Sequence, residues 1–201
     1  MKKVLFASLM LVAVTAWGAV FTYGFEDGGL PLGYYGNGEP PIIAEVVGAP
    51  DPVHSGDYSL RCIDNASSST PQAYLIWVQG LQDGDSVFAS FFRYDTTPGA
   101  APSCRIWANW NDNPDDITGY NGSASGQSDY GPGEGWDEAN KTWSVSGHTG
   151  IVIHVRTYSS AGDTVWVDDI TVDAPDHATV ILPEGDTATE NATWSSLKAI
   201  F

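Results

Sequence analysis

The sequence has few cysteines, few basic residues and no long apolar run beyond its first 18 positions. Among 201 residues there are 2 Cys, and 8 Lys and Arg stand against 25 Asp and Glu, which gives a net charge of −17. Nucleic acid and anionic membrane surfaces repel such a chain, so neither is expected as a partner. A spanning segment needs about 20 apolar residues, and we therefore expect no membrane insertion of the mature chain.

Common catalytic motifs are missing as well. The sequence contains no G-x-S-x-G nucleophile turn and no H-E-x-x-H metal pair, and its 4 His are scattered along the chain. Glycoside hydrolysis needs only two carboxylates, but among 25 acidic residues such pairs are always found and indicate nothing. We predict that the protein is not an enzyme.

The N-terminal segment has the pattern of a secretory signal peptide. Two lysines precede an apolar run over residues 4–14, and Ala16 and Gly18 supply the small residues of a cleavage site. We expect residues 1–18 to be removed and the mature protein to be secreted, either extracellular or held at the cell surface. Removal leaves 6 basic residues against 25 acidic ones, a net charge of −19.

The remaining sequence predicts a β-protein. Short alternating segments are separated by Gly, Pro, Asn and Asp, and no helical periodicity persists over three turns. We expect an all-β fold, a two-sheet antiparallel jelly-roll β-sandwich, as one monomeric domain over residues 19–173 with long connections at 28–41 and 111–136. The nine predicted strands are Val20–Phe25, Ile42–Val47, Tyr58–Ile63, Ala73–Gln79, Ser86–Tyr94, Cys104–Trp110, Lys141–Val145, Ile151–Tyr158 and Thr164–Val172.

The C-terminal segment differs from the domain in composition. Residues 174–193 are rich in Pro, Thr and acidic residues, which predicts a flexible linker. In residues 194–201, Trp194, Leu197 and Ile200 recur every three positions, as on one face of a short helix. This end resembles the short sorting or anchoring tails of some exported bacterial proteins. The alternative is a helix that docks on the domain.

The two cysteines, Cys62 and Cys104, lie in strand-like segments of the part expected to be exported. An oxidising compartment favours a disulfide between them, and we expect this single bridge. The alternative is two buried free thiols. Neither cysteine has the C-x-x-C or C-x-x-H spacing of a metal site.

Three segments together carry a resemblance to a known family. They are Tyr23-Gly24-Phe25-Glu26-Asp27-Gly28, His54-Ser55-Gly56-Asp57-Tyr58-Ser59-Leu60 and Val165-Trp166-Val167-Asp168-Asp169-Ile170-Thr171-Val172. In this order and spacing, the chain resembles the carbohydrate-binding modules of the CenC type and the wider galactose-binding-like jelly rolls. MAM-type adhesion domains are similar in the same features and are the competing resemblance. The first resemblance implies a non-catalytic domain whose partner is a polysaccharide or a cell-surface glycan.

The resemblance also implies that the first and last strands lie close together. Glu26 would then approach Asp168 or Asp169, and two carboxylates repel each other unless a cation or a proton lies between them. Ca²⁺ suits such a site because it takes 6 to 8 oxygen ligands, including main-chain carbonyls. We expect a structural calcium site built from Glu26, Ser55, Tyr58, Asp168 and Asp169. The alternative is that the acidic residues cap strand ends in solvent.

Alternation along three strands predicts a face that is both aromatic and polar. Trp107 shares one side of its strand with two polar neighbours, and Arg156 does the same in a later strand. Flat rings stack on the apolar face of a pyranose, while Arg and Asn side chains bridge its hydroxyl groups. We therefore expect a shallow glycan-binding groove, with the 111–136 connection as its wall. Its predicted residues are Trp107, Arg105, Asn109, Arg156, Tyr158, His154, Arg93, Tyr120 and Trp136.

Other interpretations stay open at this point. Trp107 and Phe91 are core residues in one of them, and the arginines pair with carboxylates. The corresponding functions are an adhesion or surface module that binds protein, or an exported domain with a purely structural role.

Overall fold

The computed structural model describes residues 18–96, 104–131, 133–157 and 161–184, which form twelve β-strands and no helix. The strands are β1 Ala19–Tyr23, β2 Gly33–Asn37, β3 Ile42–Gly48, β4 Tyr58–Asp64, β5 Ser68–Gln79, β6 Ser86–Asp95, β7 Cys104–Trp110, β8 Ser123–Gly126, β9 Gly135–Ser144, β10 Gly150–Thr157, β11 Thr164–Ala174 and β12 Thr179–Ile181.

The strands form two antiparallel sheets that pack face to face. Sheet I has the order β3-β4-β11-β6-β9, and β1 also pairs with β11. Sheet II has the order β12-β5-β10-β7-β8, and β2 also pairs with β5. The predicted all-β sandwich of two antiparallel sheets is confirmed.

The core lies between the inner faces of the two sheets. Leu60 and Val167 enter it from sheet I, and Ile106 and Ile153 enter it from sheet II, all with no exposed surface. Burial of each such side chain contributes about 1.5–3 kcal/mol to folding. The side chains on the outward faces of both sheets are not part of this core.

The predicted disulfide is wrong, because Cys62 and Cys104 are free thiols. Cys62 projects from β4 and Cys104 from β7, so they lie on facing sheets, fully buried in the core, where they pack as small apolar side chains. Burial raises the pKa of both thiols, that of Cys104 to about 12, and both are therefore protonated at neutral pH.

Three strands are not predicted by the sequence pattern. β2 and β8 are short and rich in Gly and Ser, so they carry little apolar signal. β12 pairs with β5 and lies beyond the predicted end of the domain at residue 173. Part of the predicted linker at 174–193 therefore belongs to sheet II. The rest of that linker, the tail at 194–201 and residues 1–17 of the leader lie outside the described residues.

A β-bulge in β11 changes the predicted alternation of that strand. The pairing with β6 shifts between Asp168 and Thr171, and Asp169 has a φ of 47°. Ile170 and Val172 are consequently buried in the core on the same side as Val167, whereas uninterrupted alternation predicts the opposite side.

Candidate functional site

The outward face of sheet II carries aromatic and basic side chains, as alternation predicts. In β7, Cys104 and Ile106 are fully buried in the core. Arg105, Trp107 and Asn109 alternate with the inward residues and are partly exposed on the other side. The predicted division of this strand is confirmed, and Trp107 is not a core residue.

Cross-strand register builds an aromatic row across this face. His154 of the central strand β10 pairs with Trp107 of β7 on one side. On its other side it pairs with Tyr74 of β5, and the rings of Tyr74 and His154 are 5.7 Å apart between centroids. Three flat side chains from three adjacent strands therefore lie next to one another.

A second, polar row lies beside the aromatic one. Arg156 of β10 pairs directly with Arg105 of β7 and with Gln72 of β5. Tyr35 of the edge strand β2 pairs with Gln72 and continues this row, and its side chain is 58% exposed. Arginine and amide donors are thus placed next to exposed aromatic surface.

The indole of Trp107 connects the two rows. The guanidinium carbon of Arg156 lies 4.5 Å from the ring centroid, and that of Arg105 lies 5.2 Å from it. The indole Nε1 donates a hydrogen bond of 3.1 Å to the hydroxyl of Ser123. Each cation–π contact contributes about 0.5–2 kcal/mol, so the ring is held in a defined orientation at the surface.

His154 forms the floor of the site and has no exposed surface. The side chains of Asn109 and Gln72 meet at 3.5 Å across β10, which places this amide pair over the strand that carries His154. In the described part of the chain neither ring nitrogen has a hydrogen-bond partner of normal geometry. Burial, with a smaller contribution from the charge of Arg156, lowers the pKa of His154 to about 3, and the main chain of Val152 only partly offsets this.

Two residues of the 111–136 segment, Ile117 and Tyr130, lie against this face. On one side, Ile117 and Tyr74 both lie close to Gly33. A β-carbon placed on Gly33 would be 3.1 Å from the Tyr74 ring and 3.6 Å from the Ile117 side chain. On the other side, the Tyr130 ring lies 4.4 Å from the guanidinium carbon of Arg105. The face between these contacts is bounded at both ends.

Arg93 does not belong to this face, so its assignment to the groove is wrong. It projects inward from β6 of sheet I and is 3% exposed. Its guanidinium nitrogens lie 2.8 and 3.2 Å from the Asp137 carboxylate, and it also donates to the carbonyls of Cys104 and Asp129. A buried guanidinium needs such partners, and here it ties the segment next to Tyr130 to both sheets. Phe91 on the same strand is a core residue.

Trp136 also lies away from the site. It is on β9 of sheet I, where its ring is 5.2 Å from Tyr94 and 5.2 Å from His54. The assignment of Trp136 to the face with Trp107 is therefore wrong. Tyr120 lies in the connection after β7 with a 66% exposed side chain, and Tyr158 lies outside the described residues.

Two residues of the site, Gln72 and Tyr74, are not found from the sequence. They lie in β5, whose residues from Pro71 to Ile76 are all buried, so alternation is hidden. A register shift between β5 and β10 at this point disturbs the pattern further. The polarity of Gln72 within an apolar run is the one signal that marks the outward side.

The predicted acidic cluster is present on the outward side of sheet I. Asp168 has no exposed surface, and its Oδ2 accepts hydrogen bonds from the main-chain N–H groups of His54 and Ser55 at 2.9 and 3.2 Å. Its Oδ1 accepts from the N–H group of Asp169 at 2.8 Å. Burial raises the pKa of Asp168, and these three donors partly offset that effect.

Neighbouring carboxylates are held in the same way. Glu26 accepts from the N–H groups of Asp57 and Tyr58 at 3.1 and 3.2 Å. Asp169 accepts from the Ser55 hydroxyl at 2.6 Å and contacts the His54 ring. A β-carbon at position 56, which is Gly with a φ of 67°, would lie 2.2 Å from the Glu26 carboxylate. The cluster therefore links the 54–58 segment to both β11 and Glu26, in the segment that follows β1.

This donor pattern does not fit the predicted calcium shell. The segment at 54–58 directs N–H groups at the carboxylates, whereas a calcium site needs its carbonyl oxygens. Within the described residues, no group of three or more His, Cys, Asp or Glu side chains is arranged to hold a metal ion. Calcium binding stays a prediction of the sequence, and nothing in the proposed function depends on it.

Solved structures with a similar fold include xylan-binding domains. The CBM22-1 xylan-binding domain of a Paenibacillus barcinonensis protein matches with a TM-score of 0.56 at 12% identity, over 81% of this chain and 98% of that one. A xylan-binding domain of family 22 matches at 0.52 and 14% identity, over 79% and 96%. The C-terminal family 22 module of a Clostridium thermocellum protein matches at 0.50 and 15% identity, over 82% and 99%.

The two-sheet fold is similar to that of these β-sandwich domains. At these identities the likeness shows the fold alone, and it does not single out the CenC type. No family model and no curated protein matches the chain. The described residues contain no helix with the length and hydropathy to cross a membrane.

Proposed function

We propose that this chain is an exported, non-catalytic module that binds polysaccharide on the outward face of sheet II. The observation that carries the proposal is the partly exposed indole of Trp107 with the guanidinium groups of Arg156 and Arg105 at 4.5 and 5.2 Å from its centroid. Apolar ring surface and planar N–H donors are the two components that a pyranose needs, and here they are adjacent.

The chemistry of recognition follows from this placement. A guanidinium group that lies over a ring directs its N–H groups sideways, in the plane beside the ring. Sugar hydroxyl groups accept such hydrogen bonds in pairs, while C–H groups of the sugar contact aromatic surface. Trp107, Tyr130 and the exposed Tyr35 provide that surface on one face.

The shape of the face favours a polymer over a small molecule. The strands β2, β5, β10, β7 and β8 present a broad, partly exposed surface, bounded by contacts at Ile117 and at Tyr130. Small-molecule sites instead enclose most of the ligand surface. The family 22 domains that share the fold are named for xylan binding, which supports polysaccharide as the ligand class and xylan as the first one to test.

Affinity electrophoresis in gels that contain soluble polysaccharides tests this function. The mature chain is run in gels with xylan, β-glucan, galactomannan or polygalacturonate, and retardation is compared with a gel that lacks polymer. We expect retardation by at least one of them. Unchanged mobility in every gel would overturn the proposal and favour an adhesion module that binds protein or a structural domain.

A further inference from the structure

We infer that the face of sheet II takes a polysaccharide whose sugars carry carboxylate groups, with the carboxylate bound between Arg105 and Arg156. This inference rests on the proposed function, because it names the chemical class of glycan that the same site accepts. Its basis is the relative placement of the two arginines.

The two arginines are direct cross-strand partners on the two central strands of the face. Arg156 of β10 is paired with Arg105 of β7 in register, and both project outward. Side chains that are directly opposite have β-carbons about 4.5–5.5 Å apart. A carboxylate bound between the two guanidinium groups therefore contacts both of them.

The indole of Trp107 restricts where the two charges lie. The guanidinium carbons of Arg105 and Arg156 lie 5.2 and 4.5 Å from the same ring centroid, so both groups contact the same indole. Arg105 also lies 4.4 Å from the centroid of the Tyr130 ring, and Arg156 donates to the Thr70 hydroxyl at 2.8 Å. Arginines fixed in this way lose little conformational freedom when they bind a carboxylate in a bidentate manner.

The electrostatics beneath the ring agree with this assignment. The charge of Arg156 contributes to the lowered pKa of His154, so the positive potential extends to the floor of the site. A neutral His154 adds no further positive charge. The amide pair of Asn109 and Gln72 and the hydroxyl of Ser123 lie on the same face and supply partners for the uncharged hydroxyl groups of the sugar.

A matched pair of ligands tests the inference. Polygalacturonate is compared with the same polymer after chemical reduction of its carboxyl groups, by titration calorimetry at about 0.15 M salt, where the Debye length is about 8 Å and the repulsion from the acidic chain is screened. We expect the carboxylate form to bind at least ten times more tightly than the reduced form.

Single substitutions test whether the two arginines cause the selectivity for the carboxylate polymer. We expect Arg156→Gln and Arg105→Gln each to lower the affinity for the carboxylate polymer at least tenfold and that for the reduced polymer less than threefold. Arg156→Lys, which keeps the charge but loses the planar fork, should fall between wild type and Arg156→Gln. Arg61→Gln, on sheet I, is the matched control and should change neither affinity. Melting midpoints within a few degrees of wild type show that each variant is folded.

The outcomes separate the inference from the proposed function. Equal affinity for the two polymers, or binding of neutral polysaccharides only, would overturn the carboxylate assignment and leave polysaccharide binding intact. Binding of no glycan at all would overturn both. A loss of carboxylate selectivity in Arg61→Gln would also contradict the assignment to sheet II.

Discussion

The guanidinium group of Arg156 lies over the indole of Trp107, 4.5 Å from its centroid, although the two residues are on different strands. The contact holds an aromatic ring and a hydrogen-bond donor together on the outside of a sandwich whose core is complete without them. Neither side chain is needed to fill the space between the sheets. Their arrangement is the basis of the recognition proposed above.

The buried carboxylate of Asp168 makes the first prediction. Asp168→Ala removes a fully buried carboxylate that accepts hydrogen bonds from three main-chain N–H groups. Hydrogen bonds to a charged group contribute about 1.5–3 kcal/mol each, but His54 and Ser55 are exposed and water can replace the carboxylate there, so we expect a loss of about 2 kcal/mol in the free energy of unfolding. Urea denaturation measures this free energy.

Asp173→Ala, a substitution at an exposed position of the same strand, serves as the control, and its free energy of unfolding should stay within about 0.5 kcal/mol of wild type. Equal stability of the two variants would contradict the role of the network.

The second prediction concerns the effect of calcium on the melting midpoint. The sequence predicts a structural calcium site, whereas the hydrogen bonds of the structure predict no effect of calcium. The amide donors at residues 54–58 already compensate Glu26 and Asp168, so the hydrogen bonds predict the same melting midpoint in EGTA and in millimolar calcium. Differential scanning calorimetry measures both midpoints. A midpoint that falls by several degrees in EGTA would instead establish the structural calcium site that the sequence predicts.

The third prediction concerns the pH dependence of stability, and it follows from the neutral state of His154. Its pKa is lowered from 6.5 to about 3 in the folded chain, so the unfolded state binds the extra proton between those values. The free energy of unfolding therefore falls as the pH falls below about 6.5, by up to about 1.4 kcal/mol per pH unit. Above that pH, His154 is neutral in both the folded and the unfolded chain, and it has no effect on the pH dependence of stability.

The variant His154→Leu isolates this contribution. Its free energy of unfolding, measured from pH 7.5 down to 4.5, should approach or exceed that of wild type as the pH falls. The raised pKa of Asp168 has the opposite sign, but it is present in both proteins and cancels in the difference. Parallel pH profiles for the two proteins would show that His154 is not held neutral.

Alternation predicts which residues share a side of a strand more reliably than it predicts which sheet the strand joins. In β6, Val87, Ala89, Phe91 and Arg93 share one side, as strand alternation requires, and that side faces the core. Strand order depends on long-range pairing, which no local pattern encodes. Alternation therefore places Arg93 on the correct side of its strand, but it does not show that this side faces the core.

The strands β7 and β10 were predictable because each has one consistently apolar side. Arg105, Trp107 and Arg156 were found in this way. The acidic cluster was also predicted, since its residues do come together. The main-chain N–H groups that donate to these carboxylates were not predicted, because the sequence does not show where main-chain N–H groups point.

Titration calorimetry of Trp107→Ala with the polysaccharide that retards wild type tests the central claim most directly. Stacking surface and the platform for two guanidinium groups are both lost, and we expect the affinity to fall at least tenfold. Loss of the two cation–π contacts also lowers the melting midpoint by several degrees, so binding is measured at a temperature at which the variant is folded. Trp136→Ala removes an indole of similar exposure from the outward face of sheet I and should bind like wild type. Undiminished binding by Trp107→Ala, or a loss confined to Trp136→Ala, would contradict the account.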